Sequence, residues 1–370
     1  RDAPCPGCGV IRAFAAKSVA ITEELLVREN NRPVQVTTVP YQSRTGEWLV
    51  AELNMDLTER KRVENDMLIQ RDLGLALAAA DSPAAAVELF HTWTLLHDDV
   101  IDHDTLRRGQ ETGHIRGRRL GREKWHLPPP AATDYGQALA ILAGDVLQGS
   151  VTHLFTGLKA VPAELRIALL ERLSGKLNPE LLAGEQQDVE LSCCPLTEIS
   201  EAEILEMMRL KTGALLSFCA ETGAAIGARQ EPQKCSAAQK LAAFAEACGL
   251  AFQLQDDILG IIGEEKHLGK NIASDLREGK RTLIILRTLA AATPPERAFL
   301  QQTLGRPQAG EEDWQQLTEL IKRRGALEST AALAEKYLQQ ALDYLEDALP
   351  ASIGRNHLRD WARMMTKRKV

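Results

Sequence analysis

Leu95-Leu96-His97-Asp98-Asp99-Val100-Ile101-Asp102-His103-Asp104-Thr105-Leu106-Arg107-Arg108-Gly109 is the stretch whose reading decides the fold. The residues before it, Ala84 to Leu96, are rich in Ala and Leu and hold neither Pro nor Gly. Ser82-Pro83 supplies a cap and a first-turn proline, so the pattern predicts a helix that carries the aspartates near its C-terminal end. Residues four apart share a helix face, so Asp98 and Asp102 point the same way and Asp99 is turned by about 100°. Like charges this close repel, and the negative end of the helix dipole adds to the cost. A divalent cation offsets both. Magnesium takes one or two carboxylates together with phosphate oxygens and waters, which predicts a phosphate-bearing ligand. Arg107 and Arg108 strengthen that expectation, because guanidinium groups match phosphate geometry. The competing reading is a solvated acidic helix end followed by a basic loop.

A second cluster favours the metal reading. Phe252-Gln253-Leu254-Gln255-Asp256-Asp257-Ile258-Leu259-Gly260 ends another apolar helical run, and Gly269-Lys270, Asp275 and Gly279-Lys280-Arg281 follow it. Two acidic helix ends, each trailed by basic residues, suit a diphosphate clamped through several metal ions. With Met207-Met208-Arg209-Leu210-Lys211-Thr212-Gly213 between them, the chain resembles the trans-isoprenyl diphosphate synthases, or polyprenyl synthetases, from about residue 82 to residue 370.

The resemblance implies an all-α isoprenoid synthase helical bundle. It further implies a magnesium-dependent prenyltransferase that condenses isopentenyl diphosphate with an allylic diphosphate into a short all-trans product, with geranylgeranyl diphosphate expected first and farnesyl diphosphate next. Asp98, Asp99, Asp102, Asp256 and Asp257 are then expected to hold several Mg2+ ions. Asp98, Asp102, Lys211, Thr212, Asp256 and Lys270 become the catalytic set, and Arg107, Arg108, Gln187, Gln253 and Lys280 the substrate-binding set. Gly184 and Asp188 face the same cavity. Phe90, Trp93 and Thr94, below Asp98, are the expected limit on chain length, Trp93 packing outward being the alternative. The family also implies a homodimer. A Gly-Lys-x-Arg-Pro stretch that binds isopentenyl diphosphate in the family is missing here. That keeps a second reading open, a catalytically impaired regulatory or partner subunit paired with a complete synthase.

Composition is consistent with this architecture. The chain has 370 residues with 44% hydrophobic and only 4% aromatic content, so the core is expected to be aliphatic and helical. A net charge of −7 argues against a nucleic-acid partner. No uninterrupted apolar run reaches about 18 residues, so no transmembrane segment is expected. Seven scattered cysteines suit the cytoplasm better than a disulfide framework.

Residues 1–55 read differently. Arg32 to Leu53 alternates in strand fashion around a turn at Arg44-Thr45-Gly46-Glu47, which predicts a hairpin. With Asp56-Leu57-Thr58-Glu59-Arg60-Lys61 after it, the segment is similar to the C-terminal half of a PAS domain leading into a linker helix over 56–81. The expected organisation is therefore a truncated PAS-like fragment (1–55), a linker helix (56–81) and a synthase domain (82–370) lacking the usual N-terminal helices. Within that domain, Gly109 to Thr133, with Arg116, Arg118, Arg119, Arg122 and Lys124, is expected to be a solvated loop closed by Pro128-Pro129-Pro130, with a lid over diphosphate as the alternative. Gly325 to Leu349 carries a helix-period stripe of Leu327, Ala331, Ala334, Leu338, Leu342 and Leu345, expected to be core.

Overall fold

The computed structural model describes residues 13, 15–18, 20–26, 32–42, 48–56, 82–107, 109–262, 274–306 and 308–366. The chain divides into two compact units, 1–79 and 80–370. In the first, β1 (Ala20–Leu26), β2 (Arg32–Gln42) and β3 (Trp48–Asp56) form an antiparallel sheet with β2 in the middle. The expected hairpin is present, with Val34 opposite Asp56 and Gln42 opposite Trp48. A third strand extends it: β1 pairs Ala20 with Thr38 and Leu26 with Arg32. Its sequence, Ala-Ile-Thr-Glu-Glu-Leu-Leu, favours helix on local propensity, and the edge of β2 overrides that preference. The linker helix expected over 56–81 lies outside the described residues, apart from Asp56, the last residue of β3.

The second unit is helical. It begins with α1 (Pro83–Ile101), whose N-cap Ser82 accepts a hydrogen bond from the Ala85 amide at 3.2 Å. A two-residue ladder, β4 (Leu106–Arg107) with β5 (Gln110–Glu111), turns through Gly109 at φ +74°. Then come α2 (Gly113–Trp125) and α3 (Pro129–Gly157). The expected loop over Gly109 to Thr133 is thus largely helix. The basic residues Arg116, Arg118, Arg119, Arg122 and Lys124 are exposed on it, as a solvated segment requires. What orders the backbone is its other side. A Cβ on Gly136 would lie 2.2 Å from the His114 carbonyl oxygen, so α2 and α3 touch backbone to backbone. Pro129 and Pro130, read from sequence as the end of a loop, occupy the first turn of α3, where a missing N–H costs nothing.

Two longer rods come next. The first is α4 (Ala163–Arg172), a π-helical turn (Leu173–Leu177) and α5 (Asn178–Cys193). The second is α6 (Glu201–Met208), a π-helical turn (Arg209–Gly213) and α7 (Ala214–Ala228). After them stand α8 (Ser236–Ile262), α9 (Ser274–Glu278), α10 (Leu283–Ala291), α11 (Pro294–Thr303), α12 (Glu311–Arg323), α13 (Ala326–Ala348) and α14 (Ile353–Thr366). The core is aliphatic, as the composition predicts. Leu254, Ile258 and Ile261 of α8 pack with Leu283, Ile284, Leu317, Ile321 and Leu327. Phe244, Cys248 and Ala251 pack with Leu338, Ala341 and Leu345 of α13. The buried stripe of α13 runs Leu327, Thr330, Ala334, Leu338, Ala341, Leu345. Ala331 is exposed instead of buried and Leu342 only half-buried, because a period of 3.6 selects positions three apart as often as four.

By length and composition, α3 alone among the described helices could cross a membrane. It is interrupted by Asp134 and Asp145, and its small residues Gly136, Ala140 and Gly144 pack on α1 and α2. The opposite side carries Ile141, Leu142 and Val146 at 43%, 60% and 69% exposure.

Candidate active site

The site begins at the C-terminal end of α1. Asp102 caps the helix, its amide donating to the Asp98 carbonyl at 2.8 Å. One carboxylate oxygen each from Asp98, Asp102 and Glu185 lie within 4.8 Å of one another. Asp99 goes elsewhere. It is buried, and its Oδ1 accepts from Arg107 Nε at 2.6 Å. The same guanidinium donates from Nη2 to Asp98 Oδ2 at 2.8 Å. The ladder of β4 and β5 is what folds Arg107 back onto α1. Asp99, expected in the metal group with Asp98 and Asp102, is turned by about 100° from Asp98 and meets Arg107 here instead.

The second wall comes from α5 and the π turn before α7. Gly184 lets the two elements meet, since a Cβ there would lie 2.4 Å from the Lys211 amide nitrogen. That close approach brings Lys211 Nζ to 2.6 Å from Asp188, 3.0 Å from Glu185 and 3.2 Å from Asp98. Burial works against the ammonium charge, but Asp188, Asp98 and Glu185 outweigh it and hold Lys211 above the ordinary lysine range. Burial pushes the carboxyls of Asp102 and Glu185 up, against the pull of Lys280 on the first and Lys211 on the second. The π turn widens the helix locally at Arg209–Gly213, between α6 and α7. Thr212, next along, donates its hydroxyl to Gln253 Oε1 of α8 at 3.1 Å, and Gln253 Nε2 donates to Asp257 Oδ1 at 3.0 Å.

Asp98 is thus linked through Lys211 and Thr212 to the helix of the second acidic pair. On that helix Asp257 is buried and Asp256 exposed. Lys280, after α9, closes a third side at 3.7 Å from Asp102. Magnesium favours an open set of carboxylates, and the grouped oxygens of Asp98, Asp102 and Glu185 are such a set.

Below Asp98 the α1 face is aromatic. Phe90 and Trp93 are buried and meet edge to face, with ring centroids 5.0 Å apart. Trp93 meets His97 in the same manner at 5.8 Å. Trp93 therefore packs inward, which settles its alternative. His97 Nε2 lies 3.1 Å from the Ile141 carbonyl, over Gly144, where a Cβ would come within 2.3 Å of the imidazole. Thr94 is half-buried, and its hydroxyl donates back to the His91 carbonyl.

The structure brings together Asp98, Asp102, Lys211 and Lys280, and joins Thr212, Gln253 and Asp257 to them. Gln187 sits on the adjoining face of α5, with Oε1 buried and no hydrogen bond among the described residues. Arg108 and Lys270 lie outside the described residues. Sequence reasoning missed Glu185 and His97. The first had a signal: it stands three residues before Asp188, one turn away on the same face of α5. A groove of about 510 Å3 between α11 and α12 holds none of these groups.

Residues 67–321 match the model of the polyprenyl synthetase family. The geranylgeranyl diphosphate synthase of Saccharolobus solfataricus is 36% identical over 270 residues, 73% of each chain. The farnesyl diphosphate synthase of Geobacillus stearothermophilus is 36% identical over 239 residues, 63% of this chain and 72% of that one. Among solved structures, the geranylgeranyl pyrophosphate synthase from Corynebacterium glutamicum complexed with isoprenyl diphosphate and magnesium superposes with a TM-score of 0.69 at 27% identity. The match covers 79% of this chain and 80% of that one.

Proposed function

The chain belongs to the polyprenyl synthetase family, and from that premise we propose that it is a trans-prenyltransferase making a short-chain prenyl diphosphate, geranylgeranyl diphosphate first, from isopentenyl diphosphate and an allylic diphosphate. The single observation that carries this reading is the ring of opposite charges around Lys211, in which Asp98, Glu185 and Asp188 from two helices meet one half-buried ammonium. So many ionisable groups in one place are costly for a structural core and suited to a highly charged ligand.

In this reading Asp98, Asp102 and Asp256 hold magnesium, which when bound neutralises the diphosphate oxygens as a Lewis acid. The chain's own residues do the rest. Lys211 and Lys280, already drawn to the rim by carboxylates, donate to the diphosphate as the allylic C–O bond breaks and negative charge grows on the leaving oxygen. Thr212 and Gln253 present neutral oxygens to the allylic cation from the π turn and α8. The double bond of isopentenyl diphosphate attacks that cation, and the proton then lost passes to the departed diphosphate. Phe90 and Trp93 keep water from the cation and end the space available to the growing chain.

Three further features belong to the proposal. The exposed face of α3 formed by Ile141, Leu142 and Val146 is a homodimer interface, since three large apolar side chains exposed within two turns of one helix are more than a scatter of surface residues. The cytoplasm is its compartment, in keeping with five described cysteines that are all free thiols. The N-terminal sheet is kept as a PAS-like fragment on the strength of its antiparallel strands. The experiment that tests the function is incubation of the purified protein with magnesium, isopentenyl diphosphate and each allylic primer in turn, with product length read by chromatography. Elongation to a twenty-carbon product is expected, and a folded protein that extends no primer would refute the reading.

A further inference from the structure

We infer that Glu185, on α5, and not Asp99, in the acidic stretch itself, supplies the third protein carboxylate of the cation site that Asp98 and Asp102 open. This deepens the prenyltransferase reading and rests on it. Three observations carry the inference. An oxygen of Glu185 lies within 4.8 Å of oxygens of both Asp98 and Asp102, a span that a small side-chain adjustment closes around one ion. Glu185 Oε1 is buried and has no hydrogen-bond partner among the described residues, whereas its other oxygen, Oε2, is held by Lys211 at 3.0 Å. A buried carboxylate oxygen without a partner is costly unless something occupies it. Asp99, by contrast, is buried and holds Arg107 at 2.6 Å, and its oxygens are not in that group.

Charge agrees with position. Four carboxylates, Asp98, Asp102, Glu185 and Asp188, face two ammonium groups, Lys211 and Lys280. Arg107 on Asp98 and Asp99, and Glu278 beside Lys280, leave the carboxylates in excess around the group, the balance a divalent ion would offset. Glu185 would then do two things at once, tethering Lys211 through one oxygen and a cation through the other. It would thereby fix the distance between the two positive charges that the diphosphate meets.

The test is binding of Mn2+ to the full chain, read by the loss of the free-ion electron paramagnetic resonance signal, with and without inorganic diphosphate and without any turnover. Glu185→Gln should weaken Mn2+ binding about tenfold or more. Glu185→Asp keeps the charge that balances Lys211 but draws the carboxylate back by one methylene, so it should weaken binding too. Asp99→Asn should leave the affinity within about twofold of wild type, thermal unfolding serving to confirm that each variant is folded. If Glu185 is only the counter-ion of Lys211, Glu185→Asp binds Mn2+ like wild type, and the inference is overturned while the prenyltransferase reading stands. A wild-type chain that binds no Mn2+ under either condition overturns both.

Discussion

The Lys211 ammonium stands 3.2 Å from the Asp98 carboxylate, although one comes from a π-helical turn and the other from the end of α1. A cation of the chain itself thus sits among the carboxylates that the proposed mechanism assigns to metal. Replacement of Lys211 by methionine removes the charge while filling much the same volume. Prenyl transfer should fall in kcat by about 10²- to 10³-fold, the loss seen when one donor to a developing anion is removed. Steady-state kinetics at saturating magnesium checks this, and a kcat within threefold of wild type would remove Lys211 from the mechanism.

The close approach that brings Lys211 there depends on Gly184. In Gly184→Ala the new methyl would lie 2.4 Å from a backbone nitrogen, which cannot swing aside as a side chain can. Overpacking of this kind costs roughly 1–3 kcal/mol, and the displacement of α5 should carry Asp188 away from Lys211. Denaturant midpoints measure the first effect and turnover the second. Gly223→Ala is the control, since a Cβ there meets nothing within 4 Å. It should gain up to about 1 kcal/mol from helix propensity.

Trp93, packed against Phe90 and His97, is proposed to end the space for the growing chain. Trp93→Ala should lengthen the product beyond that of wild type and destabilise the fold by about 3–5 kcal/mol. Chromatography of the dephosphorylated products reads the first. An unchanged product from a folded variant would show that chain length is limited elsewhere.

On the exposed face of α3, Val146→Asp places a charge where the proposed partner would bury it. Sedimentation equilibrium should show a dimer for wild type and a monomer, or a dimer weakened at least tenfold, for the variant. A variant that dimerises like wild type would place the interface on another surface.

Much of this site was legible in the sequence, because its determinants are local. Ser82-Pro83 marks the start of α1, the four-residue spacing puts Asp98 and Asp102 on one face, and the Met207–Gly213 stretch singles out Lys211 by resemblance. What was not legible depends on contacts between distant segments. The basic run over Gly113–Trp125 looks like a loop until Gly136 brings α3 against it. Glu185 sits in a polar run, Gly-Glu-Gln-Gln-Asp, in which nothing local separates the inward carboxylate from its neighbours. The partners of Arg107 were hidden for the same reason. Read as a diphosphate ligand, it is found holding Asp99 and Asp98, which only the fold of the β4–β5 ladder could reveal.

The account stands on one diphosphate being shared by the two acidic helix ends. The most direct measurement is a crystal structure of the protein with magnesium and an allylic thiodiphosphate, whose sulfur bridge slows ionisation. The account predicts a diphosphate between Asp98 and Asp102 on one side and Asp256 on the other, within hydrogen-bond reach of Lys211 and Lys280. A diphosphate bound away from these residues, or one touching the first helix end while Asp256 faces only solvent, would contradict it.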